Sequence, residues 1–191
     1  MGKLTDGLIN EALEALGWTL SMRGEQAEIV VIGGGNLIYS GLVTRPTTKD
    51  LDVLGCMSNG EVLKFRPLPQ AFTAAVADVA AQLDLPADWI NLGPESLLDK
   101  GLPAGFCERI EREVYGSLTV WFAGRLGLIA FKVYAAANPN RRDADPGRHH
   151  RDLVDLKPTN GELDFAIEWM STWADDDLIA AAELVTQEFR S

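Results

Sequence analysis

Residues Ile29–Leu54 read IVVIGGGNLIYSGLVTRPTTKDLDVL. The apolar, β-branched run Ala27–Ile32 has the composition of a buried strand. Gly33-Gly34-Gly35 follows as a turn without side chains, Asn36–Leu42 as a short helix, and Thr44–Lys49 as a polar loop containing Pro46. The chain then returns to a strand, Asp50–Leu54. Side chains alternate across a strand, so Asp50 and Asp52 fall on one face. Neighbouring carboxylates repel each other, which makes little sense unless a cation lies between them. Hard carboxylate oxygens suit Mg²⁺, which binds through one or two carboxylates plus substrate phosphates. A glycine turn between strand and helix presents bare backbone N–H groups to an anion. Tight packing of the helix on the strand explains the glycines as well. The stretch therefore predicts a metal–nucleotide site.

Outward from this stretch, Leu4–Leu20 carries Leu8, Ile9, Ala12, Leu13 and Leu16 at helical spacing. Gln70–Leu83 is an alanine-rich helix with Phe72, Val76, Val79 and Leu83 on one face. A short strand is expected around Val62–Phe65, and Leu85–Gly105, punctuated by Pro86, Pro94 and Pro103, reads as irregular. Phe106–Glu113 is mixed, and Leu118–Phe122 is a further apolar strand. Helices are expected over Arg125–Ala137, Arg148–Leu156, Gly161–Trp173 and Asp176–Phe189, with a polar loop at Asn138–Gly147. Strands early and helices late predict an α/β (α+β) chain. A small mixed sheet flanked by helices would occupy 1–137, with a C-terminal helical part, 138–191, packed on it.

Net charge is −11 over 191 residues. Segment 161–191 holds eight acids and one base, so most of that charge sits in the last helices. Coating of nucleic acid by the whole surface is excluded, but a local phosphate groove in the body is not. Arg141, Arg142, Arg148, His149, His150 and Arg151 form a basic cluster diluted by Asp143 and Asp145; it reads as a solvated loop or a mouth for phosphates. Adjacent helical residues do not share a face, so His149 and His150 do not read as a joint metal site. Cys56 and Cys107 read as reduced thiols. With no apolar run of membrane-spanning length and no signal-peptide h-region, the expectation is a cytoplasmic protein with no membrane partner.

Ile32-Gly33-Gly34, a spacer of fifteen residues, and Asp50-Leu51-Asp52-Val53 together resemble the signature of the DNA-polymerase-β-like nucleotidyltransferase superfamily. Arg45-Pro46-Thr47-Thr48-Lys49-Asp50-Leu51-Asp52 is similar to the Arg-x-Thr-x-Asp-x-Asp run of AbiEii-like toxins and related nucleotidyltransferase-like proteins, with one extra residue. Downstream, Leu128-Ile129-Ala130-Phe131-Lys132 and Arg151-Asp152-Leu153-Val154-Asp155-Leu156 resemble that group's Leu-x-Lys and Asp-x-x-Asp-Leu patches. The resemblance implies transfer of a nucleoside monophosphate from an NTP to a hydroxyl of a tRNA end, a protein or a small molecule. It also implies Mg²⁺ on Asp50 and Asp52, and an antitoxin partner. Gly33, Gly34, Asn36 and Arg45 would bind phosphates, Lys132 the triphosphate, and Asp152 would orient Lys132 or serve as base. An ammonium in the apolar helix around Lys132 needs an anion, either a triphosphate or Asp152 or Asp155. Many members carry a third carboxylate on a later strand. Leu118–Phe122 has none, the nearest acid being Glu113. That departure suits the alternative, a non-catalytic binding or assembly protein of the same fold.

Overall fold

The computed structural model describes residues 3–139, 145 and 147–190. They form two compact units, Met1–Gly101 with Cys107–Ala123, and Leu102–Phe106 with Gly124–Ser191. The chain is mixed α/β, with one open sheet flanked by helices and a helical C-terminal part.

In the first unit the strands are β1 (Ala27–Ile32), β2 (Leu51–Ser58), β3 (Glu61–Leu63), β4 (Ile90–Asn91), β5 (Glu111–Tyr115) and β6 (Leu118–Phe122). Their order is β3-β2-β1-β6-β5, with β4 added alongside β2. β1 runs antiparallel to β2 and parallel to β6, and β2 runs parallel to β4. Helices α1 (Asp6–Met22), α2 (Gly33–Tyr39) and α3 (Gln70–Gln82) complete the unit. Thr5 caps α1 by accepting from the Leu8 N–H, and Ile9, Leu13, Leu16 and Leu20 form its buried stripe. That stripe joins Phe72 and Val79 of α3 against Ile29, Val31, Val53 and Val120 of the sheet. Each fully buried Leu or Ile contributes about 1.5–3 kcal/mol, enough to hold the central strands in register.

Two strands escape the hydrophobic pattern. β5 is an edge strand of polar, largely exposed residues, and β4 is too short to show any period. The segment expected to be irregular also contains a 3-10 helix, Gly93–Lys100. Helix α2 starts at Gly33 rather than Asn36, because the glycines themselves turn into the helix.

The second unit holds α4 (Arg125–Ala137), α5 (Arg148–Leu156), α6 (Asn160–Ser171) and α7 (Asp176–Gln187). α4, expected with the first part of the chain, groups with these helices, the division falling at Ala123. It is buried on nearly every side, which its composition LGLIAFKVYAAA allows. Phe131, Tyr134, Trp169 and Trp173 meet edge to face, with ring centroids 5.3–6.2 Å apart. α6 opens with a capping box between Thr159 and Glu162, and α7 with Asp175 accepting from Leu178 N–H. Among the described residues no helix is long and apolar enough to cross a membrane. Arg141, Arg142 and Asp143 of the expected basic cluster lie outside the described residues.

Candidate functional site

The glycine turn and the acid pair meet in the first unit. β1 and β2 are aligned with Ile32 opposite Asp52, so the residue after β1 lies beside the Asp52 side chain. That residue is Gly33, with φ +72°, in the left-handed region that favours glycine. A Cβ placed there would stand 2.1 Å from Asp52 Oδ2. At Gly35 a Cβ would stand 2.6 Å from Leu51 Cδ1. These two glycines let α2 lie directly on the start of β2.

β2 begins at Leu51 rather than Asp50, so Asp50 stands one residue ahead of the strand and Asp52 is its second residue. One side chain touches both. Asn91 Nδ2 donates to Asp52 Oδ1 at 3.0 Å and reaches Asp50 Oδ2 at 3.3 Å. Asn91 arrives there because β4 pairs parallel with β2, placing it next to Asp52. The backbone N–H of Leu51 donates to Trp89 O at 2.7 Å, fixing the strand just ahead of that pairing. Asp50 Oδ1 is buried and has no hydrogen-bond partner among the described residues. A buried carboxylate oxygen left unpaired is costly, and together with a converging second carboxylate it is a donor set that fits a hard divalent cation. Among the described residues no group of three or more His, Cys, Asp or Glu is arranged to hold a metal. Two carboxylates and an amide are what this face offers.

The loop ahead of the pair is tied down. Leu4 and Thr48 form an isolated antiparallel bridge with hydrogen bonds of 2.9 and 2.8 Å. Thr48 Oγ1 donates to Asp50 O at 3.3 Å. Arg45 Nη1 donates to Thr47 O at 3.0 Å, so part of its guanidinium braces its own loop. Lys49 pairs with Asp88 at 2.8 Å on the surface, which raises the lysine pKa and lowers that of the aspartate.

Asn36, expected together with Gly33 and Gly34 to cradle phosphates, has a fully buried side chain. Nδ2 donates to Val31 O and Ala123 O, each at 3.0 Å, and Oδ1 accepts from Ser40 Oγ. This amide joins the ends of β1 and β6 and closes α2, leaving its hydrogen-bonding groups engaged within the fold. Gly34 is buried in the same turn.

Lys132 and Asp152 meet in the second unit. Their Nζ and Oδ2 are 2.6 Å apart, with side chains 5% and 1% exposed. His149, also buried, places Nδ1 3.4 Å from Lys132 Nζ. An ammonium only donates, so in this contact Nδ1 is the acceptor. His150 points elsewhere, toward Glu188 and the Phe189 ring. Asp155, the other anion considered for Lys132, is half-buried on the same helix. Nearby, Arg125 Nε donates to Glu162 Oε1 at 2.7 Å, and Nη2 to Leu156 O at 2.7 Å. Burial pushes the Glu162 carboxyl up, but the Arg125 and Thr159 hydrogen bonds outweigh it and hold the carboxyl below its ordinary pKa.

Asn91 escaped the sequence reading. The available signal was Trp89-Ile90-Asn91, a brief apolar step ending in an amide, too short to read as a strand. Comparison with protein-family models, with curated proteins and with solved structures found no match.

Proposed function

We propose that this chain is a cytoplasmic, Mg²⁺-dependent nucleotidyltransferase that transfers a nucleoside monophosphate from an NTP to a hydroxyl acceptor such as a tRNA end or a protein. The observation that carries the reading is the convergence of Asp50 and Asp52 beside Gly33, with one Asp50 oxygen buried and unpartnered. Asp50 and Asp52 would hold the cation, which when bound offsets charge on phosphate oxygens. By the resemblance, Gly33 and Gly34 would bind the phosphates. Asp152 holds the Lys132 ammonium in one orientation, which supports a positioning role for this aspartate. The two free cysteines fit a reducing compartment. The toxin-like resemblance adds an antitoxin as partner.

A second reading, a nucleotidyltransferase fold kept for binding or assembly, is favoured by one observation. The Lys132 charge is already matched by Asp152 inside the unit.

Melting curves of wild type and Asp52→Asn, with and without Mg²⁺ and each NTP, separate the two. Without Mg²⁺ the variant should match or slightly exceed wild type, because one like charge is gone. At ligand concentrations near 100 Kd the wild type should gain about 2.7 kcal/mol and the variant much less. Equal shifts in both proteins would remove Asp52 from the metal site. No shift in either would favour the binding protein.

A further inference from the structure

We infer that Asn91 is the positioning residue of the Asp50–Asp52 site: its amide is a neutral clamp that holds the two carboxylates converged where a divalent cation is to bind. The inference rests on the metal-site reading above. Three observations carry it. First, one nitrogen lies 3.0 Å from Asp52 Oδ1 and 3.3 Å from Asp50 Oδ2, so a single group spans both carboxylates. Second, the amide has one defined orientation. Asn91 Oδ1 accepts from Gly93 N–H at 2.8 Å, which leaves Nδ2 facing the acids; the reverse orientation would set an oxygen against two carboxylates. Third, the clamp is mounted on the sheet, since Asn91 is paired with Asp52 across β2 and β4. Gly93 belongs to the same device. A Cβ there would crowd Asn91 Oδ1 at 3.1 Å, so a side chain at 93 would push the amide from its seat.

The chemistry follows from what an amide can and cannot do. A carboxylate at 91 would add a third negative charge and force the acids apart without a cation. An alkyl side chain would remove the donor that Asp50 and Asp52 share. The amide donates to Asp50 Oδ2 and Asp52 Oδ1, and Asp50 Oδ1, without a partner among the described residues, is left for an ion. Groups that orient metal ligands in this way typically govern affinity by 10–100-fold.

The test uses the full chain and Mn²⁺ as probe, with free Mn²⁺ read by electron paramagnetic resonance and stability by melting curves. Asn91→Ala should weaken Mn²⁺ binding at least about tenfold. Asn91→Asp is nearly isosteric and keeps the acceptor for Gly93, so it isolates the donor. It should melt lower than wild type without metal, bind Mn²⁺ more tightly, and show a larger Mn²⁺-induced rise in Tm. If Asn91→Ala does not fold, the Asn91→Asp result alone decides. Should wild type bind Mn²⁺ while both variants stay within twofold of its affinity and show its metal-induced shift, Asn91 is only a structural residue and the inference fails. If wild type binds no Mn²⁺ at all, the metal-site reading fails and takes the inference with it.

Discussion

The two ionic constellations of this chain are opposites in charge. In the first unit two negative groups converge beside a glycine, bridged by a neutral amide. In the second a positive and a negative group neutralise each other in a buried setting. The second arrangement explains itself: a lysine inside an apolar helix needs a counter-charge, and Asp152 supplies it. In the first, the group that both acids share is a neutral amide rather than a counter-charge. Like charges placed together cost stability, and Asp50 Oδ1 is buried without a hydrogen-bond partner among the described residues. The proposed function accordingly rests on the acid pair and not on the ion pair.

The contrast is tested most severely at Lys132. Lys132→Met should destabilise the protein by about 3–5 kcal/mol, because it strands a buried carboxylate. Adding Asp152→Leu should restore much of the loss. Urea denaturation of the single and double variants measures both. A double variant that folds well yet no longer responds to NTP would move Lys132 from the structural side of the comparison to the functional side.

Gly33→Ala should cost about 2 kcal/mol, from the left-handed backbone alone, with the clash against Asp52 added to it. A double-mutant cycle with Asp52→Gly separates the two, because that change removes Oδ2, Cγ and Cβ, all of which a Cβ at 33 would meet. A coupling near zero would mean that the turn and the acid do not press on each other.

The smallest effect belongs to Glu162. Its pKa lies below the ordinary glutamate value, so its stabilisation is present above the unfolded-state pKa and disappears as pH falls through the folded one. The contribution, about 1 kcal/mol or less because the pair with Arg125 is partly exposed, should vanish in Glu162→Gln. The difference in stability between the two proteins should shrink as pH drops below about 4. A difference independent of pH would assign the effect to the capping box alone.

Much of this was legible because it follows from periodicity. The two-residue spacing of Asp50 and Asp52 announced the pair that one amide reaches, and the helical stripe of α1 determined what it buries. β5 was not legible, since an exposed edge strand of Glu, Arg and Val shows no apolar alternation. The structural partners of the Asn36 side chain were not legible either, since they are the carbonyls of Val31 and Ala123, the latter far away in sequence. Asn91 was invisible for the same reason. Its meaning depends on a two-residue strand pairing that no local pattern announces.

The bridge between Leu4 and Thr48 has a mechanical consequence. Leu4 is fully buried, and its backbone grips the chain two residues before Asp50. Tension applied to the start of the described chain would reach Thr48 directly, and through the Thr48 hydroxyl the carbonyl of Asp50, before it loaded any strand of the sheet. The segment leading into the acid pair is thus anchored at a second point, and a pull that parted this bridge would slacken the approach to Asp50 while β1 and β6 stayed paired.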